Sequence, residues 1–421
     1  MAEPEIVVAN REHLWFLLAE AAQLEHMLMC EYLFAEFSLK SDDELTEEQA
    51  AVVGRWRTTL RGIAVDEMLH VALVSNLMAT IGAAPTFGRP NFPRRSGYFP
   101  ASVQLDLLPF GEQALLHFLY LERPEGMERQ DAEGFVPTAP PLEPLDGAEA
   151  MPYGQEFTTV GHLYRGIERG LGTLAERLGE RALFVGSPRA QATPELFHWP
   201  QLIAVTDLAS AQAAVDEIIE QGEGARGDWK HAHYGRFLAL WQDYEDQRRR
   251  DPSFQPARPV LPAYSRQPFD VEQPVSVITD PQTRRVAELA ALGYELVLHL
   301  LMRFFTHTDE TDEQLHVLVN SAIDTMAGVL RPLAITLATL PVGPEHPGST
   351  VGFPFEMFYP MGNLTPGREP AWALLHERAS ILATRCSDVS DEAATAGEHA
   401  ATTAENLAAH LPADLVKPKQ G

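Results

Sequence analysis

The sequence predicts a mainly α protein built on a four-helix bundle, with long proline-rich insertions and additional C-terminal helices. Three observations predict it. Residues 12–40 and 47–81 both carry apolar side chains at spacings of three and four. Metal-ligand residue types, Glu67 and His70 among them, fall on those same apolar faces. Between the helical stretches lie segments dense in Pro and Gly that cannot continue a helix.

The elements follow in order. Leu14, Leu17, Leu18, Ala21, Leu24, Leu28, Tyr32 and Ala35 mark the buried stripe of helix 12–40. Leu60, Ile63, Val71, Val74, Leu77, Met78 and Ile81 mark that of 47–81, which Gly82 and Pro85 terminate. A long antiparallel pair of this kind is half of a four-helix bundle. Residues 85–155 are irregular and bracket one short helical piece, "FGEQALLHFLYLE". An excursion this long is often functional and could roof a pocket. Val160, Leu163, Ile167, Leu171, Leu174 and Leu178 mark a third helix, residues 209–221 a short segment, and residues 228–248 a further helix carrying His233, Phe237 and Leu240. The inserted loop 182–208 has turn residues suited to a small hairpin.

Six prolines and no helical stripe make 251–274 part of a linker or strap. Helical patterning returns over 283–306, 310–340 and 370–410. The domain reading is therefore a bundle over 1–250, a proline-rich linker over 251–282, and a helical region over 283–421.

Composition excludes some classes. Against 32 basic residues stand 59 acidic ones, a net charge of −27, which disfavours nucleic acid and anionic membranes as partners. Two isolated cysteines, Cys30 and Cys386, form no CxxC pair and fit a reducing cytoplasm. The N-terminal "MAEPEIVVANREHLW" has no basic, apolar leader pattern, and no uninterrupted apolar run reaches membrane-span length. A cytoplasmic protein is expected; the sequence leaves room for a homodimer.

The chemistry centres on "DEMLH". Glu67 and His70 lie one turn apart on the buried face, where both can grip one ion. An unpaired buried carboxylate costs several kcal/mol, and a cation removes that cost. Glu25 lies on the first helix's stripe and is the first choice for a further carboxylate, with Glu31 second. The later helices are less orderly. His233 faces the core, but Lys230 stands where a matching acid would be, and Asp228 and His231 lie off the stripe. His162, Glu220 or His233 would complete the site. Glu223 reads as a polar loop residue and His299 as a satisfied core histidine; Glu356 has no assigned role. Because a lysine near a metal repels the cation, one well-held ion is expected, with at most a weak second.

The stretches "LWFLLAEAAQLEHMLMCEYLFAEFSLK", "DEMLHVALVSNLMATIGAAPTFGRPNFP", "TVGHLYRGIERGL", "IIEQGEG" and "HYGRF" resemble the ferritin-like domain of iminophenyl-pyruvate dimer synthases, enzymes of violacein- and rebeccamycin-type pigment pathways. The similarity spans roughly residues 12–248; "TVGFPFEMF" and "AWALLHERASIL" resemble a further region of the same proteins. The resemblance implies a ferritin-like bundle and a metal-dependent oxidative or coupling step in secondary metabolism. Glu25, Glu67 and His70 carry over by position, whereas His162 and Lys230 stand where the family would have acids. The expected cofactor is a divalent metal, iron above others, and the expected substrate an amino acid or an imine derived from one. The alternative is a non-catalytic metal-binding bundle or scaffold.

Overall fold

The computed structural model describes residues 5–95, 103–134, 155, 157–224, 228–362, 364–387, 389 and 391–416. The parts of the 85–155 excursion at 96–102 and 135–154 lie outside the described residues. The chain divides into two compact units. One comprises residues 1–86, 92–194 and 200–257; the other comprises 87–91, 195–199 and 258–421.

The first unit begins with α1 (Arg11–Ser38) and α2 (Glu47–Thr80). Asn10 caps α1 by accepting from the His13 amide at 2.9 Å, and Thr46 and Gln49 form a reciprocal capping box on α2. Contacts between the two run in opposite chain directions: Arg11 to the Ile81 carbonyl, Glu25 to His70, Glu36 to Arg61. The pair is therefore antiparallel. Every residue of the α1 stripe is buried. On α2, Leu60, Ile63, Val74, Leu77 and Met78 are buried, while Val71 is only partly so, because His70 takes the inward position.

Two strands of two residues, β1 (Arg94–Arg95) and β2 (Gln104–Leu105), pair antiparallel before α3 (Glu112–Leu121). Next come α4 (Val160–Leu178), the one-turn helix α5 (Glu180–Leu183), α7 (Leu208–Gly222) and α8 (His233–Arg250); the one-turn helix α6 (Pro194–Phe197) between them falls in the second unit from residue 195 on. The ring of contacts α1–α2–α7–α4–α1 is the four-helix bundle, and α8 joins α3 at its side. No strand forms in the described residues of 182–208. The polar groups there instead serve α2. The Asn76 side chain donates to the carbonyls of Ala192 and Ile203, each at 2.8 Å, so a side chain does the work that a hairpin partner would. An 18-residue window of α2 has a mean hydropathy of 1.3, enough by length and composition to cross a membrane, but 78% of it is buried in the protein, as in a core helix.

In the second unit the proline-rich segment is not merely a strap. Val260–Tyr264 forms β3, the centre of a parallel sheet ordered β4–β3–β5 with Ser276–Val277 (β4) and Thr350–Gly352 (β5). Its prolines flank or interrupt a short run whose Val260, Ala263 and Tyr264 are buried. Burial, not periodicity, decides so short a strand. The helices are α9 (Pro281–Phe305), α10 (Asp312–Thr325), α11 (Arg331–Leu337), α12 (Arg368–Ser387) and α13 (Asp391–Ala408). A π-turn over Met326–Leu330 joins α10 to α11. Cys30 and Cys386 are buried, and neither is in a disulfide.

A buried ion pair anchors this unit. Arg303, 1% exposed, meets Glu310 through Nε–Oε1 at 2.5 Å and Nη2–Oε2 at 2.8 Å, and Trp372 Nε1 donates to the same carboxylate at 3.0 Å. Replacing Glu310 with Ala strands the guanidinium in the interior. Urea denaturation of the Glu310→Ala protein should show a loss of about 3–5 kcal/mol; a change below about 1 kcal/mol would mean that water reaches Arg303.

Candidate metal centre

Five donor side chains converge in the first unit. The regular helices α1 and α2 supply three: Glu25 from α1, and Glu67 and His70 from α2. The ends of two other helices supply the rest: Glu122 is the C-terminal cap residue of α3, and His233 is the first residue of α8. All five are at most 4% exposed.

They form two groups that share one member. Glu25, Glu67 and His70 make the first, Glu67, Glu122 and His233 the second, and the donor atoms within each lie within 4.8 Å of one another. The two oxygens of Glu67 face opposite ways: Oε2 lies 3.0 Å from His70 Nδ1, and Oε1 lies 3.0 Å from His233 Nδ1. Each group then has its own outer carboxylate, with Glu25 Oε2 at 3.3 Å from His70 Nδ1 and Glu122 Oε2 at 3.6 Å from His233 Nδ1. The two rings stack with centroids 5.5 Å apart.

Both imidazoles turn Nδ1 inward and Nε2 outward. His70 Nε2 is 3.1 Å from Gln221 Oε1, and the Gln221 amide nitrogen donates to Glu217 at 2.6 Å, which fixes the amide oxygen toward the ring. Nε2–H is thus the donor, and Nδ1 is left facing the carboxylates of Glu25 and Glu67, where either a proton or a cation can sit. His233 Nε2 faces Asp66 at 3.4 Å, and Asp66 is held by Arg236 at 2.6 Å. An outer partner on the far nitrogen is how metal-binding histidines are oriented. Neither nitrogen of His233 makes a hydrogen bond of sound geometry despite complete burial. Such a group in a packed interior calls for an explanation, and a cation supplies one.

Electrostatics lead to the same conclusion. Burial, reinforced by the charge of Glu67, pushes the Glu25 carboxyl up to about 7. Burial disfavours charge on His70, but the carboxylates of Glu67 and Glu25 outweigh it and raise the ring to about 10. His233 is raised well above its ordinary value in the same way, burial opposing and the charges of Glu67 and Glu122 prevailing. For Glu67, burial works upward, yet the two imidazoliums bring it below the usual carboxylate value. Three carboxylates this deep require positive charge at Nδ1 of both rings. Protons can provide it, and so can cations, which also accept the lone pairs. Carboxylate oxygens with imidazole nitrogens suit a hard or borderline ion such as iron. The residues therefore fit the implied group.

A narrow pocket, with enclosed room for about a single water, opens on the donors. Glu25, Glu67, His70 and Glu122 line one side, and Leu28, Leu121, Val160, Ile218 and Ile219 line much of the rest. Glu223 is part of the wall and 6% exposed, so it is not a solvated loop residue. Its Oε1 accepts from the Gly161 amide at 3.0 Å, and a Cβ at Gly161 would sit 2.2 Å from the Glu223 carboxyl, so only glycine permits the approach. Burial raises the Glu223 carboxyl, against hydrogen bonds and the Arg165 charge.

Several sequence expectations do not meet this geometry. Glu220 is exposed on the outer side of α7 and outside both donor groups. His162 is buried in the first turn of α4, where its Nδ1 accepts from the Thr158 amide at 3.3 Å, and belongs to neither group. Lys230, Asp228 and His231 are exposed, so Lys230 does not crowd the donors. The missing acid is supplied by Glu122, from the helical piece inside the irregular excursion. A sequence signal for it existed: an acid at the end of an apolar helix, directly before "RP". Glu31 lies elsewhere, with Oε1 accepting from the Asp106 amide at 2.9 Å. His299 Nδ1 bonds the Glu295 carbonyl at 2.7 Å, and Glu356 accepts from both the amide and the hydroxyl of Ser265 at 3.0 Å.

A helical bundle with a Glu-x-x-His pair and facing carboxylates defines the class, and the chain belongs to the ferritin-like family, whose pattern it matches over residues 18–242. That span contains all five donors. Among particular relatives, the chain is 28% identical over 383 residues to the dichlorochromopyrrolate synthase of Lentzea aerocolonigenes, covering 83% of this chain and 36% of that one. It is 29% identical over 357 residues to the 2-imino-3-(indol-3-yl)propanoate dimerase of Chromobacterium violaceum, covering 80% of this chain and 33% of that one. The chain thus spans about a third of the length of these relatives. A ferritin-like protein from Caulobacter vibrioides shares the fold, with a TM-score of 0.50 at 17% identity, covering 83% of this chain and 100% of that one.

The two groups offer donors for two ions through the shared Glu67, whereas the sequence reading expects one well-held ion. Quantitative metal analysis after iron loading should give about two ions per chain, falling toward one in Glu122→Ala and to near none in Glu67→Ala, because a bound ion needs a sufficient set of donors. One ion in the unaltered protein would show that Glu122 is not a ligand.

Proposed function

We propose that this chain is an iron-dependent oxidative or coupling enzyme acting on an amino-acid-derived imine. The observation that carries the reading is a buried carboxylate shared between two donor groups, placed at the end of an apolar pocket. Two relatives, one named a 2-imino-3-(indol-3-yl)propanoate dimerase and the other a dichlorochromopyrrolate synthase, support the substrate class. Glu25, Glu67 and His70 would hold one ion, and Glu67, Glu122 and His233 the other. When bound, iron supplies one-electron redox capacity and Lewis acidity.

The chain's own residues do the rest. Leu28, Leu121, Val160, Ile218 and Ile219 exclude water and suit an apolar side chain. Glu223 adds a carboxyl away from the two donor groups. Its anchoring to the Gly161 amide holds it in the wall, where its oxygen can accept a proton or a hydrogen bond from an imine nitrogen. Burial raises its proton affinity, which favours that exchange.

The test uses the iron-loaded full chain. Aromatic α-imino acids are generated in place by an amino-acid oxidase, and dioxygen uptake and coupled products are followed. Dimeric product from the unaltered protein is expected, and its rate should fall by roughly 100-fold or more in His70→Ala, as when a reactive centre is dismantled. Iron bound at about two per chain without turnover of any imine would favour the non-catalytic metal-binding reading.

A further inference from the structure

Two tyrosines stand behind the centre in matching positions. Tyr164, on α4, donates its hydroxyl to Glu25 Oε1 at 2.6 Å. Tyr32, on α1, donates to Glu122 Oε1. Both are fully buried. The Tyr32 ring is wedged edge-on between Phe118 at 4.7 Å and Phe237 at 5.0 Å, so its hydroxyl has little freedom to turn away. In each case the hydroxyl takes the oxygen that points away from the imidazole. Oε2 of Glu25 is left beside His70, and Oε2 of Glu122 beside His233.

We propose that Tyr32 and Tyr164 are positioning residues that restrict the two outer carboxylates, Glu122 and Glu25, to one free oxygen each. The inference rests on the metal reading above. An O–H···O⁻ bond in a dry site is among the strong ones, and a carboxylate must break it before it can close both oxygens around a cation. Each outer glutamate therefore gives one donor atom, and Glu67 alone gives two, one to each side. Protein donors stay few, which leaves an ion able to accept a small molecule.

Cobalt(II) binding to the full chain tests this without relying on turnover. Affinity and stoichiometry are read by competition with a chelator, coordination number by the intensity of the cobalt d–d bands, and packing by thermal melting of the metal-free protein. Tyr164→Phe should dim the bands of one of the two ions as Glu25 closes on it and shift that ion's affinity about 10- to 100-fold, and Tyr32→Phe should do the same to the other. In a Glu122→Ala background, which keeps only the ion at Glu25 and His70, Tyr164→Phe should retain its effect and Tyr32→Phe should lose it. A purely structural role would not show that selectivity. The proposal is overturned if both single variants bind cobalt with unaltered affinity and spectrum, whatever happens to the metal-free melting temperature. An unaltered protein that takes up no cobalt would instead overturn the metal reading itself.

Discussion

Glu67 is the residue on which the rest of the first unit depends. Its carboxylate lies at the meeting point of α2, α1, α3 and α8, 1% exposed, with an imidazole against each oxygen. Isolated, such a charge would cost several kcal/mol. The surroundings answer that cost in layers. His70 and His233 face it, Gln221 and Asp66 orient those rings, and Glu217 and Arg236 hold the orienting groups in turn. A network of this kind stabilises only when every member is satisfied; His70 Nδ1 meets both Glu25 and Glu67, whereas His233 Nδ1 makes no hydrogen bond of sound geometry.

That requirement explains how the bundle is arranged. α1 and α2 are long because each must carry its donors in the middle of an apolar stripe, well away from frayed ends. α3 and α8 contribute through their termini instead. A side chain at a helix end can reach the centre without threading another long helix into an already full bundle. The acid at the end of α3 and the histidine at the start of α8 meet across the same carboxylate. α3 is therefore structural equipment for the centre.

The pocket wall follows the same economy. Gly161 lets the Glu223 carboxylate close on the first turn of α4, and Tyr164, one turn further along, reaches Glu25. One helix thus provides both a wall for the pocket and a hold on the centre. In the second unit, Arg303 and Glu310 answer buried charge with buried charge, and no metal is called for.

Much of this was legible in the sequence, and the reason is periodicity. The stripes of α1 and α2 place Glu25, Glu67 and His70 inside by arithmetic alone, because a helix repeats every 3.6 residues and the apolar neighbours identify the inward side. His233 could be placed on the core face of α8 in the same way. Periodicity carries no information about which element's end meets which. Glu122 sits at the last turn of a ten-residue helix in an irregular stretch, where a cap residue reads as surface. Glu220 and His162 look like candidates in one dimension, yet the rotation of α7 turns the first outward, and the first-turn geometry of α4 directs the second to its own backbone. The expectation that Lys230 blocks a second ion assumes that the second half mirrors the first. The chain breaks that symmetry by bringing a carboxylate from another helix, 111 residues from His233 in sequence. Local spacing determined which faces are buried and which donors lie on the long helices; only the packing of helix ends, a long-range property, decided the fifth donor, the sharing of Glu67 and the tyrosines behind it.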